Sequence, residues 1–132
     1  MSYSESYKIT HDIDWFFQSQ GRFFHVASNG GDIPSIIDDK NNRLLQRMTE
    51  KLEKLFEVER VNNNQENYDY TSFYQYAEKG FVSIDRKGES YEDQDYFVVA
   101  RPKNWETPPP HISDQVPELD IESFNINIDG LQ

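Results

Sequence analysis

The residues best suited to do chemistry are crowded into one stretch, HDIDWFFQSQGRFFHVASNGG (11–31). It holds two of the chain's three histidines, His11 and His25, together with Asp12 and Asp14. A carboxylate beside an imidazole orients the ring and favours its protonated form, as general acid–base catalysis requires. Residues 7–17 alternate apolar and polar, and so do residues 22–28, which predicts two strands. A hairpin loop centred between Ser19 and Gln20 would set Phe17 opposite Arg22, Trp15 opposite Phe24, Ile13 opposite Val26 and His11 opposite Ser28. In that register Asp14 lies opposite His25, within reach of a cross-strand contact. Phe16 and Phe23 share their face.

The pair lacks a third member. Ser28 points to the other face, and no G-x-S-x-G nucleophile elbow occurs. A cross-strand ion pair is therefore the plainer reading of Asp14 and His25. A small hydrolase-like or metal-dependent enzyme centred on them is the alternative. As metal ligands, Asp12 and Asp14 share a face with His25, whereas His11 faces away. There is no H-x-H or HExxH, and the chain has no cysteine. The expectation is no metal and no cofactor. Asn29, Gly30 and Gly31 read as a turn, because no Lys-Ser/Thr follows to complete a phosphate loop. NINIDG (125–130) lacks the remainder of a calcium loop.

Several elements must position these residues. Residues 39–61 carry Leu44, Leu45, Met48, Leu52, Leu55 and Phe56 at three- and four-residue spacings, which predicts one long amphipathic helix capped by Asp38 or Asp39. NNNQEN (62–67) reads as a connector. Tyr70, Phe73, Tyr74 and Ala77 then keep helical spacing, with Asp69 at the start and Lys79–Gly80 at the stop. FVSIDR (81–86) and DYFVVAR (95–101) form a second hairpin, with Asp85, Arg86 and Arg101 as charge partners at its rim. Five of the six prolines fall in 102–117, and an acidic, extended tail follows, ending in an alternating edge strand near Phe124, Ile126 and Ile128. The expected fold is α+β: an antiparallel sheet of two hairpins packed on one long amphipathic helix, with a Pro-rich acidic C-terminal extension. Residues 1–103 form the domain, and 104–132 lie on or alongside it. Trp15 and Phe24 should sit side by side beneath the helix.

The net charge is −11 and unevenly spread. Residues 1–61 hold eight basic and ten acidic residues, and residues 62–132 hold five and fourteen. Such a surface repels nucleic-acid phosphate and anionic lipid and attracts basic proteins. No apolar run is long enough to span a membrane, and MSYSESYK lacks a secretory pattern, so a cytoplasmic location is expected. In composition alone, as a small, acidic and cysteine-free chain, the protein resembles bacterial toxin-neutralising immunity proteins, although no motif supports a family assignment. The resulting expectation is a non-enzymatic acidic interaction module that binds a basic protein, neutralisation of that protein being one role such docking allows. Tyr91, Glu92, Asp93, Asp95 and Tyr96 in YEDQDY (91–96) are its candidate contact residues, since tyrosine amid acid suits a binding hot spot. A second expected contact is a homodimer through the Phe16/Phe23 face.

Overall fold

The computed structural model describes residues 1–61, 69–87, 90–104 and 112–131. Within them the elements run α1 (Glu5–Thr10), β1 (Asp14–Ser19), β2 (Arg22–Ala27), α2 (Asp39–Glu50), β3 (Val58–Arg60), α3 (Thr71–Glu78), β4 (Val82–Arg86), β5 (Asp95–Pro102) and β6 (Asn127–Asp129). The strands form one mixed sheet in the order β1-β2-β4-β5-β3, with β6 also on β5. The chain is α+β as expected, but the sheet is not purely antiparallel and no single long helix covers it. No helix among the described residues is long and apolar enough to cross a membrane.

The first hairpin forms where the alternation places it, with a different turn. Gln20 and Gly21 occupy it with φ of 50° and 78°, the two positive angles that a tight two-residue hairpin turn needs. The register is shifted by two: Trp15 faces Val26, Phe16 faces His25, Phe17 faces Phe24 and Asp14 faces Ala27. A two-residue shift keeps every side chain on its face, so Trp15 and Phe24 still share one. Phe17 sits between them. It stacks on Phe24 at 4.6 Å, and Trp15 tilts against it at 5.6 Å.

Residues 5–10 are helical, not strand. Ser4 caps α1, its hydroxyl accepting from the Tyr7 N–H at 3.3 Å, and Glu5 occupies the first turn. Tyr3, Tyr7 and His11 recur at four-residue spacing and stack as a ladder, with ring centroids 5.6 and 3.8 Å apart. A period of two and a period of four coincide at Tyr7 and His11, which is how the helix hid in a strand pattern.

The expected long helix ends at Glu50. Thr49, buried, turns its hydroxyl back onto the Gln46 carbonyl at 2.9 Å. Val58–Arg60 is then taken as an edge strand by β5. Pairing with an exposed sheet edge overrides the helical propensity of 51–57, and Leu55 is left 62% exposed. The second hairpin, β4 with β5, forms as expected. The two hairpins join through a parallel contact, β2 with β4, by way of the intervening segment that carries α2, β3 and α3.

Both faces of the sheet are buried. On one, Trp15, Phe17, Phe24, Val26, Ile84, Tyr96 and Val98 pack against Ile33, Ile37, Leu119 and Ile126, so loops and the C-terminal segment cover it. On the other, Phe16 and Phe23 pack against Leu45 of α2 together with Phe81, Ile112 and Val116. Further along that face, Phe73 and Ala77 of α3 cover Ala27, Phe97 and Val99. The helix thus lies on the face opposite Trp15. Phe16 and Phe23 are 0% and 4% exposed, covered by their own chain, so the open aromatic face expected for a homodimer is already filled. Full burial of each such ring stabilises the fold by about 1.5–3 kcal/mol.

Candidate functional site

His25 is held from both sides. Its Nε2 lies 2.8 Å from Asp14 Oδ1, and its Nδ1 lies 2.7 Å from Ser83 Oγ. Since a carboxylate accepts, Nε2 carries the proton toward Asp14, and Nδ1 either accepts from the Ser83 hydroxyl or, in the imidazolium, donates to it. The Asp14–His25 contact expected from the sequence exists, but as a diagonal neighbour and not as a direct opposite. Ser83 comes from β4, brought beside His25 by the parallel register. That pairing spans 58 residues of chain, and no local pattern announces it.

Asp, His and Ser are the components of a nucleophilic triad, yet the burial is inverted. In a working triad the carboxylate is buried and the serine meets substrate. Here the Asp14 side chain is 46% exposed, whereas His25 is 1% and Ser83 0% exposed. Tyr76 of α3 stacks on the imidazole with centroids 3.7 Å apart, and Phe73 and Phe16 press on it at 5.6 and 5.7 Å. This arrangement ties β1, β2, β4 and α3 together and gives the serine no route to a substrate.

In front of Asp14 lies an open cleft of about 320 Å³. Asp12, Asp14, Glu50, Tyr7 and Tyr76 contribute to its walls, with His11 and Arg43. His25 is not among the lining residues; it lies behind Tyr76. The Tyr76 hydroxyl is held well above the ordinary tyrosine range by burial and by the charges of Asp14 and Glu50. His11 Nδ1 is 2.9 Å from both the Tyr7 carbonyl and the Thr10 hydroxyl. Asp12 accepts from the Asn29 N–H at 2.8 Å. Among the described residues no group of three His, Cys, Asp or Glu side chains is placed to hold a metal ion, so His25, Asp12 and Asp14 are not gathered as ligands.

Asp85 and Arg86 are not at a rim. They are 5% and 8% exposed. Arg86 Nε donates to the Ser28 carbonyl at 3.0 Å, and its terminal nitrogens reach Ser90 O at 2.7 Å and Asn29 O at 3.2 Å. The guanidinium so fills this space that a Cβ on Gly31 would strike it. Arg101 pairs instead with Glu59 at 3.1 Å. Burial pushes the Asp85 carboxyl up to about 6, against the pull of the Arg86 backbone N–H, with the Asp12 charge adding to the rise.

The candidate contact residues divide. Glu92 and Asp95 are exposed, and Asp93 is half-buried and accepts from the Ser90 N–H at 3.1 Å. The Tyr91 hydroxyl donates to Asp32 at 3.0 Å, beside Lys8, whose ammonium is 2.6 Å from the same carboxylate. Burial raises the Asp32 carboxyl, but Lys8 and Tyr91 outweigh it and hold it below the usual range. Tyr96 is a correction: it is 0% exposed, its ring in the core and its hydroxyl donating to Gln94 at 3.1 Å. On a strand that begins at Asp95, position 96 turns inward, so Tyr96 cannot act as a surface anchor. Two residues of the second hairpin's loop, 88 and 89, and the triple-proline stretch with His111 lie outside the described residues, as does the 62–67 connector.

One exposed aromatic lies outside YEDQDY. Phe124 is 39% exposed, in a turn whose exposed neighbours include Asp120 and Glu122. Its alternation with Ile126 and Ile128 suggested a strand, yet only Ile126 is buried.

No protein-family model, no curated protein and no solved structure matches this chain.

Proposed function

We propose that the protein is a non-enzymatic, acidic docking module for a basic protein partner. The supporting observation is the parallel pairing of β6 with β5. It sets Asp95 beside Asn127 and Phe97 beside Asp129, with the Asn127 N–H donating to the Gln94 carbonyl at 2.9 Å. Two acidic segments, distant in sequence, thereby reach one edge. Glu92, Asp95 and Asp129 are exposed there, with Lys87 paired to Asp129. Phe124 supplies an aromatic surface within this acidic rim, the composition of a binding hot spot. The acid steers a basic partner during encounter. A hydrolase reading of His25 is disfavoured by the burial of both the imidazole and the Ser83 hydroxyl.

The test is retention of a basic protein from native lysate at low and high salt, by the wild-type chain and by a variant with Glu92, Asp95 and Asp129 reversed to lysine. Retention by the wild type that salt and the reversal both abolish supports the proposal. Equal retention by the two chains defeats it.

A further inference from the structure

The turn after β2 brings together the parts of a covalent modification site. We infer that Asn29 is a site of spontaneous deamidation, with the Arg86 guanidinium as the group that activates it. Asn-Gly occurs once in the chain, at 29–30. Asparagine loses its side-chain amide when the backbone nitrogen of the next residue attacks its Cγ, and glycine leaves that nitrogen unshielded because it has no Cβ. Asn29 is exposed. Among the described residues neither its side-chain amide nor the Gly30 N–H makes a hydrogen bond. Asn125 is the contrast. It too is exposed, with a φ of 53° against 47° at Asn29. Its neighbour, however, is the β-branched Ile126, whose N–H donates to the Ile121 carbonyl at 3.0 Å. There the attacking nitrogen is both shielded and tied.

The attacking species is the deprotonated peptide nitrogen of Gly30. Its negative charge is shared with the oxygen of the same peptide, the Asn29 carbonyl. That oxygen accepts from a terminal nitrogen of Arg86 at 3.2 Å. Arg86 is 8% exposed, and its other donors go to the carbonyls of Ser28 and Ser90. A fixed, largely buried cation aimed at the atom where charge develops lowers the barrier to forming that charge. Asp12 holds the residue from its other end, accepting from the Asn29 N–H at 2.8 Å. Its charge therefore meets Asn29 across the Cα and not at the reacting peptide. In the reaction the Gly30 N–H proton passes to hydroxide and the bond from Gly30 N to Asn29 Cγ forms. The Cγ–Nδ2 bond breaks, and the departing nitrogen takes a proton from water to leave as ammonia. A second water then opens the cyclic imide at one of its two carbonyls, giving aspartate or isoaspartate. The balance is one water consumed and one ammonia released. Opening at the former Asn29 main-chain carbonyl leaves isoaspartate, with its new α-carboxylate beside the Arg86 guanidinium.

The test is incubation of the full chain at mildly alkaline pH, native and unfolded in guanidinium chloride, with deamidation at each asparagine followed by peptide mass spectrometry. In the native chain Asn29 should convert ahead of Asn125 and the chain's other asparagines. Its rate should be no lower than in the unfolded chain, where Arg86 is remote. Arg86→Gln should slow the native reaction about tenfold, the loss of one hydrogen bond to a charged group, and leave the unfolded-state rate unchanged. Thermal melts establish whether that variant is folded; the native and unfolded wild-type rates decide the matter without it. A native chain that keeps the Asn29 amide while the unfolded chain loses it overturns the inference. So does a folded Arg86→Gln variant that converts at the wild-type rate.

Discussion

Along β1 the outer edge of the sheet is closed by uncharged amides, whereas along β5 it is prolonged by two three-residue strands bearing charge. At β1, Asn42 and Gln46 of α2 both donate to the Asp14 carbonyl, at 3.0 and 2.8 Å. Further along, the Gln18 N–H donates to Pro117 O and its carbonyl accepts from Leu119 N–H, at 2.8 and 3.0 Å, while its side chain reaches Ser113 O and Val116 O. At β5, β3 and β6 lie end to end, presenting Glu59, Arg60, Asn127 and Asp129 to solvent. Short, charged edge strands resist pairing with a second sheet. The comparison teaches that one edge is sealed to complete the fold, while the other is left open and made acidic. The proposed docking role would use that asymmetry, with stability at one side and recognition at the other.

The largest expected effect comes from breaking the buried polar cluster behind the sealed side. His25→Ala removes both the Asp14 and Ser83 bonds and leaves a buried hydroxyl beneath Tyr76. It should destabilise the fold by about 3 kcal/mol, read as the urea unfolding midpoint. Partner retention by the fraction that remains folded should be unaffected.

Next is Asp85, a buried carboxyl with a raised folded-state value. Because its pKa rises from 3.8 to about 6 on folding, the folded state binds this proton more tightly. Its contribution to stability is greatest below about pH 4 and is lost as pH rises through about 6. Asp85→Asn, which keeps an acceptor for the Arg86 N–H, should match the wild type near pH 4 and be more stable above pH 7 by about 2 kcal/mol. Unfolding free energies measured across that range check the sign. A gap that shrinks as pH rises would refute the assignment.

A smaller loss tests the amide clamp. Gln46→Ala withdraws one of two donors from the Asp14 carbonyl and should cost about 1 kcal/mol. Hydrogen exchange at β1 amides should quicken, while exchange at β5 is unchanged. Smallest of all is Glu92→Lys beside the open edge. Its carboxylate is exposed, so stability should move by less than about 0.5 kcal/mol, whereas association at low salt slows.

These differences also mark what the sequence could convey. The period-two runs in 11–28 and 81–101 were legible because one-sided burial leaves a local signature, and so was the 71–78 helix with Asp69 at its start. The Asp14–His25 contact survived a two-residue error in register because such an error preserves faces. What was hidden depends on distant partners. Val58–Arg60 reads as helix until β5 offers an edge. Ser83 reads as a plain strand residue until β2 lies parallel to it. Tyr96 counts both in the strand 95–101 and in the acidic stretch 91–96, and only the packed core decides between them. The α1 ladder was legible in principle, from Ser4 followed by Glu5 and from the four-residue spacing of Tyr3, Tyr7 and His11.

The most direct test of this division of labour is the low-salt association rate of the retained basic protein with the wild-type chain and with the threefold lysine reversal. The rate should fall by at least about tenfold, the scale of electrostatic steering, while the unfolding midpoint stays where it was. An unchanged rate, with the reversed chain folded, would contradict the claim that the open acidic edge is where this protein meets its partner.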